Sequence, residues 1–208
     1  MERGGKSESN RPVLSFLSMA QPSSHATYAE YLALEAKADM KHEYVAGVIY
    51  AMAGGTPEHA RLQMNIGAAL LSALRGRPCA VFSSDLRVRI DATDRATYPD
   101  VTVVCGPMQT SPIDKNAVTN PTLIVEVTSE STEADDRGEK FGHYRHLAAL
   151  QEYVIVSGRT AHVEVWRRNE RARWELADEA GPKGAVHLAS IDVKVDVGAI
   201  YANPLPQG

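Results

Sequence analysis

The spacing of apolar positions changes along the chain, and the changes mark its elements. Thr27 followed by YAEYLALEA predicts a short amphipathic helix, with Thr27 as N-cap and Glu30 completing a capping box. HEYVAGVIYAM places β-branched and aromatic residues on both sides of Gly47, which predicts two strands joined by a tight turn, with Glu43 near the start of the first. From Pro57 to Leu74 the residues Leu62, Ile66, Ala69, Leu70 and Leu74 recur at helical spacing, and GRP at 76 to 78 closes this helix. Four strands are expected next, at AVFSS (80 to 84), LRVRI (86 to 90), DVTVVC (100 to 105) and TLIVEVT (122 to 128). The last two are almost wholly apolar, as strands covered on both faces are. A helix from about Glu133 to Leu150 follows, with Phe141, Tyr144, Leu147 and Ala148 on one side. EYVIV is another buried strand, HVEVWRR and ARWELADE form a hairpin around NER, and VKVDVGAIYA is a strand running into a short helix.

Strand and helix alternate, so the expected fold is α/β in a single domain. A central mixed β-sheet is flanked by helices, with an additional C-terminal antiparallel hairpin. Residues 1–24 read as a disordered polar extension, with Met19 as an alternative start, and residues 25–208 as the domain. The 208 residues, 44% hydrophobic and 23% charged, suit one core of ordinary size, and no linker divides them. Twenty-two basic against 26 acidic residues give a net charge of −4, which excludes a globally basic nucleic-acid surface. No apolar run approaches the roughly 18 residues of a membrane helix, so no membrane partner is expected. Cys79 and Cys105, each within an apolar segment, are expected to be buried thiols, which suits a cytoplasmic protein.

The acidic residues that interrupt apolar strands carry the chemistry. Asp100 opens one strand directly after Pro99, and Glu126 stands between valines in another. A buried carboxylate costs several kcal/mol unless a cation or hydrogen-bond donors replace its water. A divalent ion shared by both satisfies this, although Asp100 alone also fits a strand-initial residue at the sheet rim and Glu126 a buried salt bridge. Lys140 lies on the following helix with Asp136 at i−4. That is either a helical ion pair or an ammonium delivered to a phosphate or a metal-bound water. Glu43 and His59 are each compatible with a surface role. Nucleotide-binding, dinucleotide-binding and lipase-type glycine motifs are all missing from the sequence.

The ordered run HEYVAGVIYAMAGGTPEH, YPDVTVV, NPTLIVEVTSEST and DDRGEKFGHYRHLAALQEYVIV resembles the Uma-type family of restriction-endonuclease-like proteins, part of the PD-(D/E)xK nuclease superfamily. The similarity spans about residues 27 to 201. It implies a metal-dependent endonuclease acting on nucleic acid, with DNA the expected substrate, and a homodimer. It also implies Mg²⁺ (or Mn²⁺) held by Asp100, Glu126 and the backbone carbonyl of Val127, with Glu43 joining through water or a second ion. Thr128 stands where the superfamily pattern has lysine, and the D-R-x-x-K stretch supplies Asp136, Arg137 and Lys140 instead. Lys140 would orient the attacking water or stabilise charge on phosphorus. Tyr144, one turn on, fits core packing or support of Lys140, His59 is a further supporting candidate, and Arg87 and Arg89, on one strand face, fit either a solvated edge or contacts to nucleic acid. The competing class is a catalytically silent module of the same fold that binds nucleic acid or a protein.

Overall fold

The computed structural model describes residues 25–52, 54–130 and 132–203. The expected extension over 1–24, with Met19, and the tail after Asn203 lie outside these residues. In chain order the elements are α1 (Tyr28–Glu35), β1 (His42–Val45), β2 (Val48–Ala51), α2 (Pro57–Ala73), β3 (Cys79–Ser83), β4 (Arg87–Ile90) and β5 (Arg95–Thr97). They continue with β6 (Val101–Cys105), β7 (Thr110–Ser111), β8 (Asp114–Val118), β9 (Leu123–Thr128), α3 (Glu133–Arg137) and α4 (Glu139–Tyr144). The last are β10 (Glu152–Ser157), β11 (Val163–Arg168), β12 (Trp174–Ala180), β13 (Ala185–Leu188), β14 (Val193–Asp196) and α5 (Val197–Tyr201).

The mixed sheet that carries the core has the order β12-β11-β10-β9-β6-β3, in which only β9 and β10 run parallel. A second sheet, β2-β1-β5-β4-β8-β7, stands beside it, and β13 and β14 form a small antiparallel ribbon. Side chains alternate along β9, which explains how one strand serves two cores. Leu123, Val125 and Val127 meet Leu62, Ile66 and Leu70 of α2 together with residues of β14 and α5. Ile124 faces the other way, toward Phe141 and Tyr144 of α4 and Tyr153 of β10. Glu126 follows the parity of Ile124, so its side chain enters the α4 side.

Local chemistry accounts for the elements. Thr27 and Glu30 make the capping box of α1 reciprocally, and Thr56 with Pro57 starts α2. The β1–β2 turn has positive φ at Ala46 (45°) and Gly47 (93°), as a tight hairpin turn requires.

Three expectations need correction. The helix expected from about Glu133 to Leu150 is two short helices, because Gly138 leaves helical geometry at φ −108°, ψ −92° and glycine makes that departure inexpensive. The cysteines are not free thiols. Antiparallel pairing of β3 with β6 sets Cys79 opposite Cys105 with Cα atoms 4.0 Å apart, and they form a disulfide. The free-thiol argument for a reducing compartment therefore falls away. Finally, β5, β7 and β8 lie in segments whose polar residues gave no strand signal. DKNAV, for example, buries Asp114, Ala117 and Val118. Among the described residues no helix is long and apolar enough to cross a membrane.

Candidate active site

The register of the core sheet brings Asp100 and Glu126 together. β6 and β9 pair as Val103↔Leu123, Thr102↔Ile124 and Val101↔Val125. One step further the ladder would set Asp100 against Glu126, and there side chains take over the pairing. The Asp100 amide donates to Glu126 Oε2 at 3.3 Å, and the Val127 amide donates to Asp100 Oδ2 at 2.7 Å. The carboxylates are thus fixed where the ladder opens, at the floor of a cleft of about 320 Å³ that Glu43, His59, Asp136 and Lys140 also line.

Each neighbouring layer sends a charged group into this cleft. From α4, Lys140 Nζ lies 3.1 Å from Glu126 Oε1, 3.3 Å from Asp136 Oδ1 and 4.0 Å from Glu43 Oε1. Tyr144 donates from its hydroxyl to Glu126 Oε1 at 2.7 Å. From α2, His59 Nε2 stands 3.2 Å from Asp100 Oδ2. The second sheet delivers Glu43, which Arg95 Nη2 holds at 3.1 Å through Oε2 and the Thr97 hydroxyl holds through Oε1.

Burial governs the electrostatics. Glu126 is 2% exposed, and loss of water pushes its carboxyl well above the usual carboxylate range. Asp100 and Asp136 push the same way against the pull of Lys140. Burial raises Asp136 as well. Burial alone would lower the Lys140 ammonium, but Glu126, Glu43 and Asp136 around it hold it well above its ordinary value. Glu43 behaves oppositely to Glu126: desolvation would raise it, yet Lys140 and Arg95 hold it below the usual range. The hydrogen bond to Asp100, set against burial, raises His59. Five carboxylates, Glu43, Asp100, Glu126, Asp135 and Asp136, thus line the cleft with one permanent cation, Lys140, while Arg95 pairs with Glu43.

Of the residues singled out from the sequence, the cleft collects Glu43, His59, Asp100, Glu126, Val127, Asp136 and Lys140, and Tyr144 reaches Glu126 from the buried core. Three arginines go elsewhere. Arg137 forms a two-pronged pair with Glu164, at 2.7 Å for both contacts, and ties α3 to β11 outside the cleft. Arg87 and Arg89, candidates for a solvated edge or for contacts to nucleic acid, are instead only 8% and 5% exposed. Arg87 pairs with Asp114 at 2.5 Å and bonds the Tyr98 hydroxyl, while Arg89 pairs with Asp91 and Asp94 and lies 4.0 Å over the Tyr28 ring. Alternation put them on one strand face as expected, but α1 covers that face with tyrosines. The sequence reading missed Arg95 and Thr97. Their i, i+2 spacing just before Tyr98-Pro99-Asp100 was the one available signal.

The Tyr144 hydroxyl tests this geometry. Tyr144→Phe leaves the ring packing but removes a buried bond to a carboxylate, so a loss of about 1.5 kcal/mol is expected in urea unfolding. An unchanged midpoint would show that Lys140 alone suffices for Glu126.

Residues 28–191 match the model of the Uma2 family, described as "Putative restriction endonuclease". Two uncharacterized proteins of Synechocystis sp. (strain ATCC 27184 / PCC 6803 / Kazusa) are similar along most of the chain. The protein slr1290 is 36% identical over 172 residues, covering 83% of this chain and 89% of the relative. The protein sll1609 is 33% identical over 167 residues, covering 80% and 94%. The chain belongs to the Uma2 family. Its fold is also that of a crystal structure from Anabaena variabilis ATCC 29413, described as a putative nuclease belonging to DUF820. The TM-score is 0.67 with 18% identity, over 86% of this chain and 98% of that one. The residues that form and support the cleft, from Glu43 to Tyr144, all fall within the Uma2 match.

Proposed function

We propose that this Uma2 protein is a metal-dependent endonuclease that hydrolyses phosphodiester bonds of DNA. Most support comes from the meeting of Asp100, Glu126 and Lys140 in one cleft, although they come from a loop, a strand and a helix far apart in sequence. The donor set suits Mg²⁺ or Mn²⁺: two hard carboxylates and the Val127 carbonyl, in a cleft with more carboxylates than cations. Among the described residues no three His, Cys, Asp or Glu side chains are already drawn together as a metal cluster, so a bound ion would have to draw its ligands in, and water and a phosphate oxygen would fill its remaining positions. A bound ion would lower the pKa of a coordinated water and offset charge growing on phosphorus.

The residues divide the remaining work. Asp100 and Glu126 present oxygens whose positions the Val127 amide and the Tyr144 hydroxyl fix. Lys140 carries a permanent positive charge beside Glu126, from which it can stabilise an anionic phosphate or orient water. Glu43, held ionised by Arg95 and Lys140, offers a further oxygen for water at the cleft wall. One cleft per chain cuts one strand at a time, and a homodimer would let both strands of a duplex be cut in one encounter.

The test is a nicking assay on supercoiled plasmid with Mg²⁺ or Mn²⁺, comparing wild type with Asp100→Ala plus Glu126→Ala. Activity unaltered in the double variant would sink the site. A catalytically silent binding module is favoured by one feature, the Lys140–Glu126 pair, which already neutralises the buried carboxylate. Mn²⁺ calorimetry separates the two, because the module predicts no heat of binding. Binding should also strengthen with pH, on the order of tenfold from pH 6 to pH 8. Glu126 must give up a proton that burial favours, and His59 one that Asp100 favours, before the oxygens are free. A flat profile over that range would contradict this ligand set.

A further inference from the structure

We infer that His59 is a nitrogen ligand of the metal ion, so that the cleft selects first-row transition ions over Mg²⁺. This rests on the reading of Asp100 and Glu126 as metal ligands and adds an imidazole to an otherwise all-oxygen set. His59 lines the same cleft wall as two of the oxygen ligands, Asp100 and Val127, with Nε2 3.2 Å from Asp100 Oδ2. Adjacent ligands around an octahedral ion with bonds of roughly 2.1 Å lie about 3 Å apart. The 3.2 Å separation of His59 Nε2 and Asp100 Oδ2 matches that of neighbouring ligands, so a shared ion could replace this contact with little movement of either side chain.

Several features hold the ring there. Thr56 caps the amide of His59 at the first turn of α2, fixing the backbone that carries it. Gly55 leaves space for the ring: a Cβ at that position would lie 2.9 Å from His59 Nδ1. The side chain is 21% exposed, facing the cleft and partly sheltered from solvent. An imidazole is a poor ligand for Mg²⁺, which demands hard oxygen. Nitrogen donors raise affinity along the series from Mn²⁺ to Co²⁺ and Ni²⁺.

The experiment uses the full chain, Mg²⁺, Mn²⁺ and Co²⁺ as chlorides, and the variants His59→Ala and His59→Gln. Calorimetry on wild type should give affinities rising from Mg²⁺ through Mn²⁺ to Co²⁺. Both variants should lose at least about tenfold in Co²⁺ affinity while Mg²⁺ affinity changes less than about threefold, so that the Co²⁺ to Mg²⁺ ratio collapses. Pulsed electron paramagnetic resonance of Mn²⁺ on wild type should show coupling to an imidazole ¹⁴N that is absent in His59→Gln. That spectrum reads ligation without recourse to activity, and on wild type it needs no variant to fold. If Mn²⁺ binds but shows no imidazole coupling, or if both variants weaken Mg²⁺ and Co²⁺ equally, the inference fails and the carboxylate site survives. If none of the three ions binds wild type, the metal site itself falls, and His59 with it.

Discussion

Glu126→Gln is expected to abolish nicking, by about a thousandfold, without weakening the fold. Glutamine keeps the shape of the side chain and, with its carbonyl oxygen toward the Tyr144 hydroxyl, the shorter of the two bonds that place it, giving up only the 3.3 Å bond from the Asp100 amide. What it lacks is the negative charge that binds a cation. The fold should tolerate this, because burial and the neighbouring Asp100 and Asp136 already disfavour that charge. The sign follows from linkage. A carboxyl whose pKa is higher folded than unfolded contributes stability at acidic pH, below its unfolded value, and that contribution is lost as pH rises through the folded value. Glutamine does not titrate, so the variant should gain on wild type in urea midpoint as pH rises from 5 to 8. His59 contributes a slope of the same sign to both proteins, and comparing them largely removes it. If Glu126→Gln instead destabilises the chain at every pH, Glu126 serves as the structural anion for Lys140 and the catalytic reading loses its centre.

Much of this cleft was legible in the sequence because backbone periodicity dictates it. Once DVTVVC and TLIVEVT are read as buried neighbouring strands, the acidic residues that break them must be compensated, and the ladder that pairs Val101 with Val125 brings Asp100 to Glu126. Lys140 was found through chemistry and resemblance, and the packing of α4 over β9 delivers it. The failures share a cause: tertiary partners that local pattern does not carry. Arg87 and Arg89 alternate as solvent-facing residues do, yet Tyr28, Tyr31 and Asp114 arrive from distant segments to bury them. Arg95 sits in DATDRATY, where no apolar rhythm announces a strand, and its burial comes from β1 and β4 on either side. The disulfide was missed because pairing of β3 with β6 depends on register, and two cysteines 26 residues apart do not encode one.

Lys140→Met should separate the structural work of the ammonium from its chemical work. Methionine retains most of the side-chain stem while removing a charge that touches Glu126 and Asp136 and approaches Glu43. Deleting one partner of a buried ion cluster leaves the other charges uncompensated, and the expected loss in chelator is about 3 kcal/mol. A divalent ion at Asp100 and Glu126 would supply positive charge to the same carboxylates. Adding Mn²⁺ to both proteins at one concentration, about a hundred times the wild-type dissociation constant, stabilises wild type by about 2.7 kcal/mol. The gain should be larger in the variant than in wild type, because in wild type the ion shares Glu126 with an ammonium 3.1 Å away and is repelled by it. Nicking should nevertheless stay lost, since charge restored at the carboxylates is not an ammonium facing the phosphate. Urea unfolding of both proteins in EDTA and in MnCl₂ measures the first effect and plasmid nicking the second. An equal Mn²⁺ gain in both would mean that ion and lysine do not share carboxylates, placing the ion away from Glu126. Recovery of nicking along with stability would make Lys140 a structural counter-charge with no part in the chemistry.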